Sequence, residues 1–252
     1  MDQQWFILTR RVVARLILAT ISPPDETGGL VGISKEGAME EFKRQRRTGM
    51  IMIGLAMPVA VALWLAVDQL MPPILSMENL ASREAFALKC WCVAVLFTLV
   101  MGVEAVAHER LRSPAFDPLA RFETRRLKVN ERYLQNTLEQ TVVFAAALFG
   151  LAAYCPTGSA MRAVVATTVV WVLARFAFWA GYHRSAAMRG LGAPGMALSM
   201  IVLVYVTARV AEEIAGRVGI VVLVATFLGF EALLFWTTRR RLQDPEDASH
   251  TG

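Results

Sequence analysis

The sequence predicts an all-α integral membrane protein, and three observations carry that prediction. The 252 residues are 56% hydrophobic and 19% charged, a balance tilted away from soluble domains, in which about 25% of residues are charged. The apolar residues gather in runs of roughly 20, the length a helix needs to cross ~30 Å of hydrocarbon. The period-2 alternation of a membrane barrel is absent. The net charge of +5 sits in short loops beside the apolar runs, which speaks for membrane topology and against a nucleic-acid partner. Cys90, Cys92 and Cys155 are spaced as neither a disulfide framework nor a metal site.

Residues 5–20, WFILTRRVVARLILAT, place Arg10, Arg11 and Arg15 where a secretory signal needs its apolar core. Wound as a helix, these arginines share one arc, which predicts a helix lying in the interface plane; the competing reading is a short or broken span. A polar linker over 22–49 follows, its second half a candidate for a short charged helix. Six spans come next: about 50–67, 84–107, 130–154, 161–189, 196–210 and 218–238. Segments 35–47, 108–128, 183–190 and 239–241 hold 16 Lys or Arg, whereas the alternate loops hold one each, Arg83, Arg162 and Arg217. Six spans put every basic loop on one side, which the positive-inside rule makes cytoplasmic, with both termini there. No internal repeat is visible, so an inverted-repeat transporter is not supported.

The spans carry polar groups that hydrocarbon penalises by about 2.5–3.5 kcal/mol per charge unless they find a partner or a wet cavity. Arg132, Asn136 and Glu139 are spaced i, i+4, i+7 and fall within about 60° of arc on one helix. Arg175, Phe178, Tyr182, Ser185 and Arg189 fall within about 80° of arc if 161–189 is one helix. That helix would be roughly 43 Å long, so its Tyr182–Arg189 end would protrude into the headgroups. Two helices thus turn polar stripes toward the cytoplasmic side. Together they predict a cationic pocket open to lipid, suited to an anionic polar ligand that must meet an apolar one. Blander readings stand beside this: Arg132 and Glu139 as a lock between helices, Arg189 as a snorkelling arginine, Tyr182 as an interfacial aromatic. Glu104 and His108 either pair or face water, as does Glu231, and His183 reads as a surface histidine. No metal-ligand set or phosphate-binding glycine loop is present.

ERYLQNTLEQTVVFAAALFGLAAY followed by LARFAFWAGYHRSAAMRGLGAPGMALSM resembles the MAPEG family, the membrane-associated proteins in eicosanoid and glutathione metabolism. The family's Arg-x-x-x-Asn-x-x-Glu pattern is matched by Arg132, Asn136 and Glu139. Its next helix is matched by Arg175, Phe178, Gly181-Tyr182, Arg184-Ser185 and Arg189. The resemblance covers about residues 85–210. It implies a MAPEG-like four-helix core over 83–210, with one extra transmembrane helix before it (50–82, after an N-terminal region 1–49) and one after it (211–252, with a cytoplasmic tail). It further implies a homotrimer that binds glutathione as co-substrate between subunits and meets an apolar small-molecule substrate from the membrane lipid.

By that analogy Arg132, Asn136 and Glu139 hold the tripeptide's charged ends and amides, Tyr182 hydrogen-bonds it, and Arg189 stands beside the thiol as the catalytic residue. Arg175 and Ser185 belong to the same binding set, and Arg110 would clamp a carboxylate. The expected activity is a glutathione-dependent transferase or peroxidase acting on apolar electrophiles or lipid hydroperoxides. The alternative is a non-catalytic protein of the same fold that binds another anionic lipid or metabolite, or serves as a scaffold. Phe178 and Gln140 depart from the tyrosines found there in some relatives, and the added spans lie outside the family pattern.

Overall fold

The computed structural model describes residues 35–117, 119 and 122–241. The expected interfacial helix over 5–20, the first part of the linker and the C-terminal tail lie outside the described residues. Among the described residues there is no strand. Five helices hold most of the described residues: α1 (Lys35–Leu70), α2 (Leu80–Leu111), α3 (Arg125–Tyr154), α4 (Arg162–Arg184) and α5 (Ala193–Arg241), with a 3-10 segment at Ala187–Gly192 between the last two. All five are long and apolar enough to span a bilayer.

The charged stretch 35–49 is not a separate short helix. It runs unbroken into the first apolar span, through Pro58. A proline is tolerated in a membrane helix because neighbouring groups re-satisfy the freed backbone carbonyl. Helix α2 starts at Asn79, whose side chain accepts from the Ser82 N–H over 2.8 Å. It contains a π-helical turn at Leu96–Val100. Thr124 starts α3 in the same way, accepting from the Leu127 N–H over 3.0 Å. The expected 161–189 helix ends earlier, at Arg184. Ser185 is extended (φ −159°, ψ 158°) and its N–H closes the last turn on the Gly181 carbonyl.

The fifth helix is 49 residues long, far more than one crossing needs. It breaks at Ala215–Gly216, where Gly216 has φ 60° and ψ −153°, a conformation open essentially to glycine alone. The bend is sharp. A Cβ at Gly219 would run into the Ala211 carbonyl, although eight residues of straight helix span about 12 Å. The expected fifth and sixth spans lie on either side of this break.

The core runs along α3. Leu127, Asn130, Tyr133, Thr137, Thr141, Phe144, Leu148 and Leu151 are buried at steps of three and four, the period of one helix face. Phe144 stacks on Trp171 of α4 at 4.3 Å. The hydroxyls of Thr98, Thr141, Thr168 and Ser199 in this interior donate to carbonyls four residues earlier, so each is satisfied within its own helix.

The loops sort by charge. Gly49 and Ile53 of α1 meet Gly190, and Arg125 donates to the His183 carbonyl over 2.9 Å, so segments 43–53, 108–128 and 183–190 share one end. At the other end the Ile74 N–H donates to the Gly158 carbonyl, and Arg162 to the Met71 carbonyl. Three of the four expected basic segments, 35–47, 108–128 and 183–190, therefore gather at one end of the bundle.

Candidate functional site

A cavity of about 400 Å³ opens near the basic end between α3, α4 and the start of α5. Arg132, Asn136, Glu139, Arg175, Tyr182 and Arg189 all line it. The two polar stripes expected from helical spacing thus face one chamber.

At its base lies Arg175, 1% exposed. Its Nη1 donates to Gln140 Oε1 over 2.8 Å, and its Nη2 to Asn136 Oδ1 and Thr137 Oγ1 over 3.0 Å each. The guanidinium carbon lies 4.4 Å from the Phe178 ring centre and 5.5 Å from that of Tyr133. Three neutral acceptors and two ring faces stand in for water around a charge that hydrocarbon would reject. Its Nε is buried with no hydrogen-bond partner.

Arg132 and Glu139 form no direct ion pair, contrary to the lock between helices. Gln135 stands between them, accepting from Arg132 over 3.3 Å and donating to Glu139 over 3.2 Å. Both charges remain exposed. Among the described residues none of Arg132, Arg175 and Arg189 is ion-paired. Three guanidinium groups and one carboxylate therefore give the chamber a cationic balance.

Arg189 reaches the cavity by a route helical spacing does not describe. It sits on the 3-10 segment, which folds back against the end of α4. Gly181 allows this approach, since a Cβ there would collide with the Met188 carbonyl. Ser185 does not join the site. It caps α4, and its hydroxyl accepts from the Met188 N–H over 3.3 Å. Arg110 is also absent from the lining, being paired with Glu131 at 2.8 Å. His183 is no surface histidine: it is half-buried, with Nε2 2.9 Å from Asn130 Oδ1, which also accepts from Trp179 Nε1. Glu104 and His108 do pair, at 3.2 Å, in an exposed position.

Sequence reading missed two of the three residues that hold Arg175. Thr137 and Gln140 lie one position beyond members of the expected stripe, and Gln140 sits four residues after Asn136, to which it donates over 3.2 Å. That i, i+4 amide pair within a span was the available signal. Tyr133 was missed as well. Its hydroxyl donates to the Thr98 carbonyl in the π turn over 3.1 Å, and its ring stacks on Trp179 at 4.9 Å. A π turn shifts backbone pairing by one residue, and here a carbonyl within it takes its proton from α3.

Five apolar helices, three of which wall a polar chamber, define an integral membrane protein of helical type. The MAPEG family model matches residues 88–211, and the chain belongs to the MAPEG family. It is accordingly a membrane protein of the glutathione and eicosanoid metabolism family. The match covers α2 to the middle of α5 and leaves out α1 and the segment beyond the Gly216 break. No curated protein and no solved structure matches the chain.

Proposed function

We propose that the protein is a glutathione-dependent membrane transferase or peroxidase acting on apolar electrophiles or lipid hydroperoxides. One observation carries the proposal: Arg132, Arg175, Arg189 and Glu139 share a single cavity whose remaining walls include Phe178 and Met196. Glutathione is a tripeptide anion with two carboxylates and one ammonium group, and the donor set fits it. Guanidinium groups match carboxylates with charge-assisted bonds, and Glu139 offers the counterpart for the ammonium. Asn136 and Tyr182 supply amide and phenol contacts. The thiol, when bound, supplies the nucleophile or reductant. A nearby cation favours its thiolate, lowering a pKa of ~8.5, and that is the role assigned to Arg189. Phe178 and Met196 present an apolar wall to the second substrate.

The same reading includes a homotrimer with six spans and cytoplasmic termini. Its support is the exposure of Arg132, Gln135 and Glu139 on one flank of α3. Charged groups on a spanning helix do not face acyl chains, so a neighbouring copy would cover them. A non-catalytic reading draws on Arg175, whose hydrogen bonds all serve to join α4 to α3.

Titration of the detergent-purified protein with glutathione separates the two. Thermal stabilisation together with thiolate absorbance supports the enzyme. No stabilisation at millimolar glutathione favours the non-catalytic fold.

A further inference from the structure

A second and larger cavity, about 750 Å³, lies at the other end of the bundle. It is formed between α1, which the family match does not include, and the core. Ala60, Val61, Trp64 and Asp68 of α1 wall one side; Cys155, Arg162 and Ala163 wall the other, and Ile201 and Tyr205 of α5 close the groove. Arg162 and Arg175 lie 13 residues apart on α4, so the two cavities are separated by about 20 Å along that helix.

We propose that this groove binds the acyl chain of a membrane phospholipid with an amine headgroup, whose phosphate meets Arg162 and whose ammonium meets Asp68. The size suits a lipid chain, within the 300–1,000 Å³ range typical of ligand pockets. Its walls are apolar along α1 and α5, and the outer members, Val61, Leu65, Ile201 and Tyr205, are exposed along spanning helices, where the surrounding medium is lipid. The mouth is polar and carries both signs. Arg162 donates to the Ser159 and Met71 carbonyls but forms no ion pair among the described residues. Among the described residues Asp68 accepts only a neighbouring amide, that of Gln69. A guanidinium and a carboxylate at one rim are complementary to a zwitterion. A purely anionic headgroup would meet the Asp68 carboxylate, and a headgroup-free diacylglycerol would leave both charges unmatched. Trp64, Tyr154 and Tyr205 cluster at the same level, as aromatics do at a membrane interface. The lipid would fasten α1 to the core.

The test adds dioleoyl phosphatidylethanolamine, dioleoyl phosphatidylglycerol or dioleoylglycerol to the delipidated full chain in detergent, with melting temperature and retained lipid per chain as readouts. The ethanolamine lipid is expected to bind tightest, near one per chain. Arg162→Gln is expected to weaken it about tenfold, the effect of losing one charge-assisted hydrogen bond. Ala60→Phe and, from the core side, Ala163→Leu fill the groove and should abolish retention while melting as the parent does without lipid. Whichever of these two variants keeps that lipid-free melting decides the matter. Equal retention of all three lipids, or undiminished retention with the groove filled, overturns the proposal. Glutathione titration of the same preparations reports on the other cavity independently.

Discussion

Arg175 on α4 donates to Gln140 on α3 over 2.8 Å in the interior of the bundle. The bond joins two spanning helices at a charge with no ion-pair partner among the described residues. Gln140→Leu removes one acceptor from this buried cation and should cost about 1.5–3 kcal/mol, the range for hydrogen bonds to charged groups. Gln140→Glu, which keeps the oxygen and adds a countercharge, should melt at or above the parent temperature. Equal losses for both variants would show that the amide matters only as packing.

Tyr133→Phe isolates the bond to the π turn. It deletes one hydroxyl and leaves the ring stacked between α2 and Trp179. A loss of about 0.5–1.5 kcal/mol is expected, read as a lower unfolding midpoint in denaturing detergent, with helix content by circular dichroism unchanged.

Arg189 and Arg132 should separate by function. If glutathione occupies the chamber, Arg189→Ala should abolish the thiolate signal and leave much of the binding. Arg132→Ala should weaken binding by about tenfold, as loss of a charged contact does. Small, equal effects on both readouts would remove the roles assigned to them.

Cys155 provides a pH-dependent reporter at the far end. Its thiol is buried, and that burial pushes its pKa up to about 11. Arg83 nearby opposes the rise, and Asp68 adds to it. Only the thiolate reacts, so below that pKa alkylation of Cys155 should quicken about tenfold per pH unit, still climbing between pH 8 and 10. The folded state favours the neutral thiol. Its stabilising contribution is present below the unfolded thiol's pKa of ~8.5 and is lost as pH rises through the folded value. Fast alkylation at pH 7 that does not respond to pH would refute the burial.

Much of this arrangement was legible because a single helix imposes its own geometry. Arg132, Asn136 and Glu139 lie on one regular helix, so spacing alone brought them to one face, and the cavity confirms it. Arg189 was placed there by helical spacing and by resemblance, but the spacing argument does not describe how it arrives. The helix it was drawn on stops at Arg184, and its position comes from a fold-back that depends on contact between Gly181 and Met188. Ser185 was lost for the same reason. His183 could not be read because its partner, Asn130, is 53 residues away on another helix. The long helix Ala193–Arg241 shows the same limit: apolar runs located its two halves, but the angle between them depends on one glycine's φ.

The wide turn at Leu96–Val100 holds one residue more than a regular α turn, so everything after it is rotated by about 100° relative to what precedes it. Above the turn, α2 offers Ala87 and Ala94 to the interior; below it, Glu109 reaches Arg126 at 3.1 Å and Arg110 reaches Glu131 at 2.8 Å. The bulge acts as a phase setter that lets one rod show a greasy flank at one depth and an ionic flank at another. Deleting a single residue within it would restore a regular α turn and swing both acid–base contacts about a quarter-turn out of reach.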